Sequence, residues 1–300
     1  MLRRAVLAAC LAFPLAAEAQ NWKQSYPELV VAVVPAENAS GVTERMQPFL
    51  AYLAAELGVR TTLRIATDYA AVIEGQRAGN IHVANYGPSS YVRAWTVTNG
   101  GVTPFATSIN ADGSTGYYSV AYARANDPGT KIEDFRGRNL CLVDPNSASG
   151  NNVPRFAMDK MKIDTDKFFS RVVYAGSHEN AITALGQGTC DLAFNWWNSE
   201  TDSNLARMAN KNLVKAADFK IVFRSDLIAG SPWAFLASLP ADLKAAIVKA
   251  FNEAPTKAKT AYDRLSDGQD RGFQAVTHGD YQAIVDLQKF VDDMRRRRGS

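Results

Sequence analysis

Short apolar runs alternate with helix-like segments along most of the chain. "ELVVAVVP" (28–35) reads as a strand, "TERMQPFLAYLAAELG" (43–58) as a helix, "RTTLRIA" (60–66) as a strand, "YAAVIEGQRAG" (69–79) as a helix and "IHVANY" (81–86) as a strand. A second series follows the same order: "RNLCLVDP" (138–145), "NVPRFAMDKM" (152–161), "SRVVYAG" (170–176), "HENAITALGQG" (178–188) and "CDLAFNW" (190–196). Such alternation predicts an α/β protein with parallel strands wrapped by helices.

The two series keep one spacing. Pro35 to Tyr69 is 34 positions and Pro145 to His178 is 33, while Tyr69 to Gly79 and His178 to Gly188 are both 10. Each glycine falls where a helix should end in a left-handed turn. Two similar lobes are therefore expected, although loop economy alone brings unrelated α/β units toward similar spacings. Between the series lies the extended segment "GSTGYYSVAYARAND" (113–127), and after the second comes "FKIVFRSDLIAGSPWAFL" (219–236), followed by helices over "PADLKAAIVKAFNEA" and "DYQAIVDLQKFVDDM". Two extended crossings flanking the second series predict a two-strand hinge and a ligand cleft between lobes. The boundaries read as 20–118 with 226–300 for lobe one and 119–225 for lobe two.

The first residues change the setting of this picture. "MLRRAVLAACLAFPLAAEAQ" has two arginines, an apolar centre and a small-x-small ending, the layout of a cleaved export signal over 1–19 with the mature chain starting at Gln20. Lipidation at Cys10 is the other reading, but the apolar run continues past that cysteine. Without 1–19 the chain keeps 31 basic and 29 acidic residues, net +2. That balance points to neither nucleic acid nor membrane as a partner, and an exported, soluble monomer is expected. Cys141 and Cys190 remain in a compartment where disulfides persist. Either a bridge or two buried thiols fits, since sequence fixes no distance between them.

In open α/β lobes, ligands sit beyond the carboxyl ends of strands, where helices begin. Counting places Ser40, Tyr69 and Tyr86 there in lobe one, and Ser147, Ser149, His178 and Asn195 in lobe two. "NSASG" (146–150) combines hydroxyls with the unpaired N–H groups of a helix start, which suits an oxyanion. An ordinary serine cap is the bland alternative. Trp196 and Trp197 are expected to divide their roles, one on the cleft wall and one packed inside.

Taken together, "DYAAVIEGQRAGNIHVANYGPSSY", "ADGSTGYYSV", "DPNSASG" and "AGSHENAITAL" resemble the periplasmic phosphonate-binding proteins of ABC transporters, in the same order over nearly the whole mature chain. The resemblance implies a type II periplasmic binding fold, no catalysis, no cofactor or metal, and ABC permease subunits as partners. It assigns the PO3 grip to Tyr69, Tyr117, Ser147, Ser149 and His178, with Ala148 contributing only its backbone N–H where the family often has threonine. Members that bind 2-aminoethylphosphonate use two carboxylates for the ammonium group. Glu200 in "NWWNSE" matches one, and Ser231 in "AGSP" stands in place of the other. Two competing functions share these residues. A secreted hydrolase would use Ser147 or Ser149 with His178 and Glu200, but the chain lacks a G-x-S-x-G elbow and its three histidines are scattered. A periplasmic sensor for a membrane kinase would share the fold and the ligand.

Overall fold

A computed structural model of the chain describes residues 22–299. The export signal at 1–19, the expected start at Gln20 and the lipidation candidate Cys10 lie outside the described residues. The first sheet opens with β1 (Glu28–Val33), β2 (Arg60–Arg64), β3 (Val83–Asn85) and β4 (Val102–Asn110). The chain then builds a second sheet from β5 (Gly116–Arg124), β6 (Asn139–Leu142), β7 (Arg171–Tyr174), β8 (Leu192–Trp197), β9 (Phe219–Arg224) and β10 (Ile228–Ala229). It returns to the first with β11 (Pro232–Leu236) and β12 (Asp270–Ala275).

The strand orders are β12-β4-β11-β3-β1-β2 and β10-β5-β8-β6-β7, with β9 alongside β5. β1 runs parallel to β2 and β3, and β6 parallel to β7 and β8. The inner strands β1, β6 and β8 are largely apolar, as parallel strands covered on both faces require, whereas the edge strands β2 and β7 are partly exposed. Helix Ala39–Leu57 turns Val42, Met46, Phe49, Leu50, Leu53 and Leu57 inward, one stripe at helical spacing. The matched glycines take the left-handed turn, with φ +75° at Gly79 and +79° at Gly188.

Phe49, Phe105, Trp233 and Phe251 centre the core of the first lobe; Phe135, Phe168 and Phe194 centre that of the second. A third cluster crosses between them, joining Tyr69 and Tyr86 to Cys141, Val143 and Ile182. Cys141 and Cys190 form a disulfide with Cα atoms 5.8 Å apart, tying β6 to the approach to β8. No helix among the described residues is long and apolar enough to cross a membrane.

Three features differ from the sequence reading. The crossings fall at 111–115 and 230–231, not at 118/119 and 225/226, because Tyr117 and Gly116 already pair with Ile228 and Ala229 in the second sheet. The final helix, Gln282–Gly299, does not belong to lobe one alone. Its Arg93–Asp292 ion pair (2.6 Å) faces lobe one, while Phe156–Phe290 ring contact and the Asn152–Gln288 hydrogen bond (3.1 Å) face lobe two. Finally, β4, β12 and helices Pro88–Val97, Asn204–Asn210 and Lys259–Ser266 were not read from the pattern. In β4 the alternation is broken by Pro104, which sits beside a register shift against β11, where a missing N–H is tolerated.

Candidate functional site

The carboxyl ends of both sheets face one cavity of about 210 Å³ between the lobes. On lobe two its wall is the turn that leaves β6. Ser147 caps that turn by accepting the Gly150 N–H at 3.0 Å, and Ala148–Asn152 wind as a single wide helical turn before Val153–Lys160. Gly150 is there for space: a Cβ would meet the Val143 side chain at 2.4 Å. The bland reading thus holds for Ser147, which is a cap, yet its hydroxyl also lies 3.5 Å from His178 Nε2 and bonds to the Tyr69 phenol. Ser149 caps nothing; its hydroxyl and backbone N–H both serve Tyr117.

Two phenols, two hydroxyls and one imidazole therefore converge. Enclosure pushes the Tyr69 and Tyr117 phenols well above their usual range, so both stay O–H donors at any physiological pH. His178, only 3 % exposed, is held by Asn195. Asn195 Nδ2 donates to the His178 carbonyl at 2.9 Å, and its Oδ1 accepts the Trp196 N–H at 3.0 Å. Oδ1 is thereby the acceptor toward His178 Nδ1 at 2.9 Å, which fixes the proton on Nδ1 and leaves Nε2 facing Ser147. Burial lowers the imidazole to about 4, against a smaller upward pull from Asn195. The ring is neutral near pH 7. Behind it stands a neutral amide rather than a carboxylate, so the Ser147–His178 pair lacks the group that stabilises a protonated histidine in hydrolases.

The lobes are latched around this cavity. Ala36 on lobe one accepts the His178 and Glu179 N–H groups at 3.1 and 3.4 Å, and Asn38 donates its N–H and Nδ2 to Glu179 Oε2 at 2.8 and 2.9 Å. Glu37 between them meets Arg45 at 3.0 Å on its own lobe and Arg207 and Lys211 at 3.4 and 3.1 Å on the other. Burial pushes the Glu37 carboxyl up, but these three cations outweigh it and hold it at about 2. In the reverse direction, the Tyr69 N–H of lobe one bonds to the Asp144 carboxylate of lobe two.

Comparison with known proteins decides what this arrangement belongs to. Residues 31–281 match the family described as the periplasmic substrate-binding protein of the phosphonate ABC transporter. The chain belongs to that family. It is 31 % identical over 279 residues to the phosphate-import protein PhnD of Mycolicibacterium smegmatis, covering 87 % of this chain and 85 % of the relative. It is 32 % identical over 204 residues to the phosphonates-binding periplasmic protein of Escherichia coli, covering 67 % of this chain and 58 % of that one. A binding-protein component of a phosphonate ABC transporter from Pseudomonas aeruginosa superposes with a TM-score of 0.79 at 26 % identity, over 88 % of this chain and 86 % of that chain. The type II two-lobe fold follows, as does the role: a phosphonate-family binding protein that delivers its ligand to an ABC permease, and not an enzyme.

Within this family setting, the remaining sequence candidates divide. Ala148 and Ser231 line the cavity. Tyr86 touches it too, but its hydroxyl is spent in the core on Gln76 Oε1 at 2.9 Å. Ser40 is exposed and bonds locally to Asn38. Trp196 lies on the wall beneath the Arg207 guanidinium, 4.8 Å from its centroid, while Trp197 packs beside Tyr118 and Arg224. Glu200 needs correction: it is exposed and away from the cavity wall. Residues 198–202 close a tight turn, with Asn198 N–H on the Asp202 carbonyl at 2.9 Å, so the tip carrying Glu200 points outward and Asp202 returns to the wall. Sequence reasoning missed Glu37, Asp202, Arg207 and Asp270, which make a second polar cluster on the same cavity. Among the described residues no group of His, Cys, Asp or Glu side chains is placed to hold a metal ion.

Proposed function

We propose that this chain captures an organophosphonate, with 2-aminoethylphosphonate the leading compound, after export as a monomer to the periplasm through a cleaved signal. Tyr69, Tyr117, Ser147, Ser149 and His178 grip the PO3 group, and the Ala148 N–H replaces the hydroxyl its side chain lacks. The observation that carries this reading is the size of the space the grip opens onto. About 210 Å³ is several times the ~30 Å³ share of a water molecule, leaving room beyond a bare oxyanion for an organic end. The names of the relatives divide between phosphate and phosphonates, and this extra volume favours the phosphonate.

A thermal-shift panel of alkyl- and aminoalkylphosphonates, phosphite, phosphate and sulfonates tests it. A ligand at ~100 times its dissociation constant adds ~2.7 kcal/mol to folding stability. Phosphonates are expected to give the largest shifts; a larger shift from inorganic phosphate at equal concentration would overturn the reading.

A further inference from the structure

The wide turn that carries Ser147 and Ser149 lacks one donor of its own. Asn152 N–H bonds to the Ser147 carbonyl at 3.0 Å and Val153 N–H to the Ala148 carbonyl, each bond spanning five residues. One step further, the same pattern would bring the N–H of residue 154 to the Ser149 carbonyl, but residue 154 is proline and has no N–H. The donor comes from β5 instead: the Ser119 hydroxyl, fully buried, donates to the Ser149 carbonyl at 2.6 Å. Ser119 is itself fixed where β9 has just ended, its N–H donating to Ser225 Oγ at 3.0 Å and its carbonyl accepting the Ser225 N–H at 2.8 Å. It lies two residues from Tyr117 and so turns its side chain to the same side of the strand. Every polar group of Ser149 is thereby set against one strand face, the hydroxyl and N–H against Tyr117 and the carbonyl against Ser119. Among the described residues, the cavity wall is lined by Tyr117 and Ser149 and not by Ser119, which therefore acts on a ligand only through Ser149.

We infer that Ser119 is the positioning residue of the oxyanion grip, its hydroxyl holding the peptide between residues 149 and 150 with the Ser149 carbonyl turned toward β5 and the Gly150 N–H on Ser147 Oγ. Without that hydroxyl the carbonyl is buried with no donor, and Gly150, which adopts either sign of φ, does little to resist rotation of the peptide. Rotation takes the Gly150 N–H off Ser147 and brings an acceptor oxygen toward the bound anion. The inference rests on the reading that Ser147 and Ser149 hold the PO3 group and makes no demand on the organic end of the ligand.

Calorimetric titration of ethylphosphonate and of inorganic phosphate into the unmodified protein, Ser119→Ala, Ser119→Thr and Ser119→Val tests the assignment, with the phosphorus NMR shift of the bound ligand as a second readout. Threonine keeps the hydroxyl and valine puts a methyl in its place, so comparing the two cancels the cost of added bulk. Ser119→Ala is expected to weaken binding roughly tenfold, the scale of one buried hydrogen bond, and to move the bound phosphorus resonance. Ser119→Thr is expected to bind at least about threefold more tightly than Ser119→Val. A structural role alone would lower the melting temperature of the ligand-free variants and leave the bound resonance where it is. An unmoved resonance in Ser119→Ala, or equal binding by the threonine and valine variants, would overturn the assignment. Preference of the unmodified protein for phosphate would overturn the phosphonate reading while the Ser119 assignment is decided on the phosphate titrations; binding of neither would overturn the grip and the assignment with it.

Discussion

The two lobes present the same framework to the cleft and use it in opposite ways. Helix Tyr69–Arg77 and helix His178–Gly186 start at matched positions, capped by Asp68 and Ser177, each accepting the N–H three residues on. Each helix start then sends an N–H across the cleft to the other lobe, to the segment after β1 or after β6. His178 reaches the Ala36 carbonyl beside Pro35, and Tyr69 reaches the Asp144 carboxylate beside Pro145. The acceptors differ, and so do the residues that follow. After Pro145 the chain coils into the hydroxyl turn of Ser147 and Ser149; after Pro35 it runs out as a strap carrying Glu37 and Asn38 onto lobe two. Lobe two thus supplies most of the proposed grip and lobe one most of the latch. The comparison also shows that the His178 helix start is not itself the anion site, because Ala36 already occupies its N–H groups.

Breaking the lobe-two grip should have the largest effect. Ser149→Ala combined with His178→Ala removes a hydroxyl beside Tyr117 and the ring beside Ser147, groups worth roughly 1.5–3 kcal/mol each toward a charged ligand. Phosphonate affinity should fall by roughly 10³-fold. Asn195 Oδ1 keeps the Trp196 N–H, so the ligand-free variant should lose only about 1 kcal/mol of stability. A collapse of the ligand-free melting temperature would mean that these residues are structural first.

Breaking the lobe-one latch comes next. Glu37→Gln deprives two cations of lobe two, Arg207 and Lys211, of the carboxylate that holds them across the cleft. Removing one partner of a buried ion cluster costs about 3–5 kcal/mol where the cluster is assembled. Partial rehydration on reopening should reduce this to a roughly 30-fold loss of affinity, about 2 kcal/mol. Solution scattering should show the ligand-bound variant more open than the unmodified complex; an unchanged radius and affinity would remove the strap from the closing machinery.

How much of this was visible beforehand depends on whether a residue's role is local. Strands such as Glu28–Val33 and Asn139–Leu142 are continuous apolar runs, and Tyr69, Ser147, Ser149 and His178 sit at helix starts that spacing alone locates. Tyr117 was legible only through the resemblance. Asp202 was missed on the cavity wall because the turn over 198–202 is set by Asn198 and Asp202 bonding across it, which no apolar pattern records. Asp270 was missed because β12 is half exposed and interrupted by Gly272, so its strand leaves no alternation. The strap was unreadable for another reason: Glu37 matters only once Arg207 and Lys211 arrive from 170 and more residues away.

A smaller effect separates the lobes by pH. Burial pushes the Asp270 carboxyl up to about 6, opposed by Arg207 and Arg45 and reinforced by Asp202, with Tyr262 the other titratable group beside it. An ammonium bound beside Asp270 would favour the ionised form, so the bound carboxyl would titrate lower than the free one. The advantage it gives is complete above pH 6 and is lost as pH falls below that. Comparing the affinity of 2-aminoethylphosphonate for the unmodified protein and Asp270→Asn cancels the ligand's own titration. Their ratio should be about tenfold at pH 7.5, some 1.4 kcal/mol, and near unity by pH 5. A ratio that did not change with pH would mean that Asp270 is not the titrating carboxylate.

The smallest effect concerns the one proton that the lobe-two grip requires. With Nδ1–H donating to Asn195, the neutral His178 ring offers a lone pair at Nε2, and an oxygen of a dianion would set its own lone pair against it with no proton between them. Binding is satisfied when one proton lies between Nε2 and a phosphonate oxygen, whichever atom carries it. Near pH 5 to 6 the ligand arrives with that proton, because the second ionisation of a phosphoryl group lies near ~6 or above. At higher pH the proton must come from solvent, and affinity should fall by less than tenfold for each pH unit. Titrations at pH 8 in buffers of different ionisation enthalpy should therefore reveal uptake of up to one proton, shrinking toward zero at pH 5.5, and His178→Gln should abolish the difference. No uptake at pH 8, with affinity flat between pH 6 and 8.5, would show that the dianion is held by the phenols and hydroxyls alone and that Nε2 faces the ligand without bonding to it.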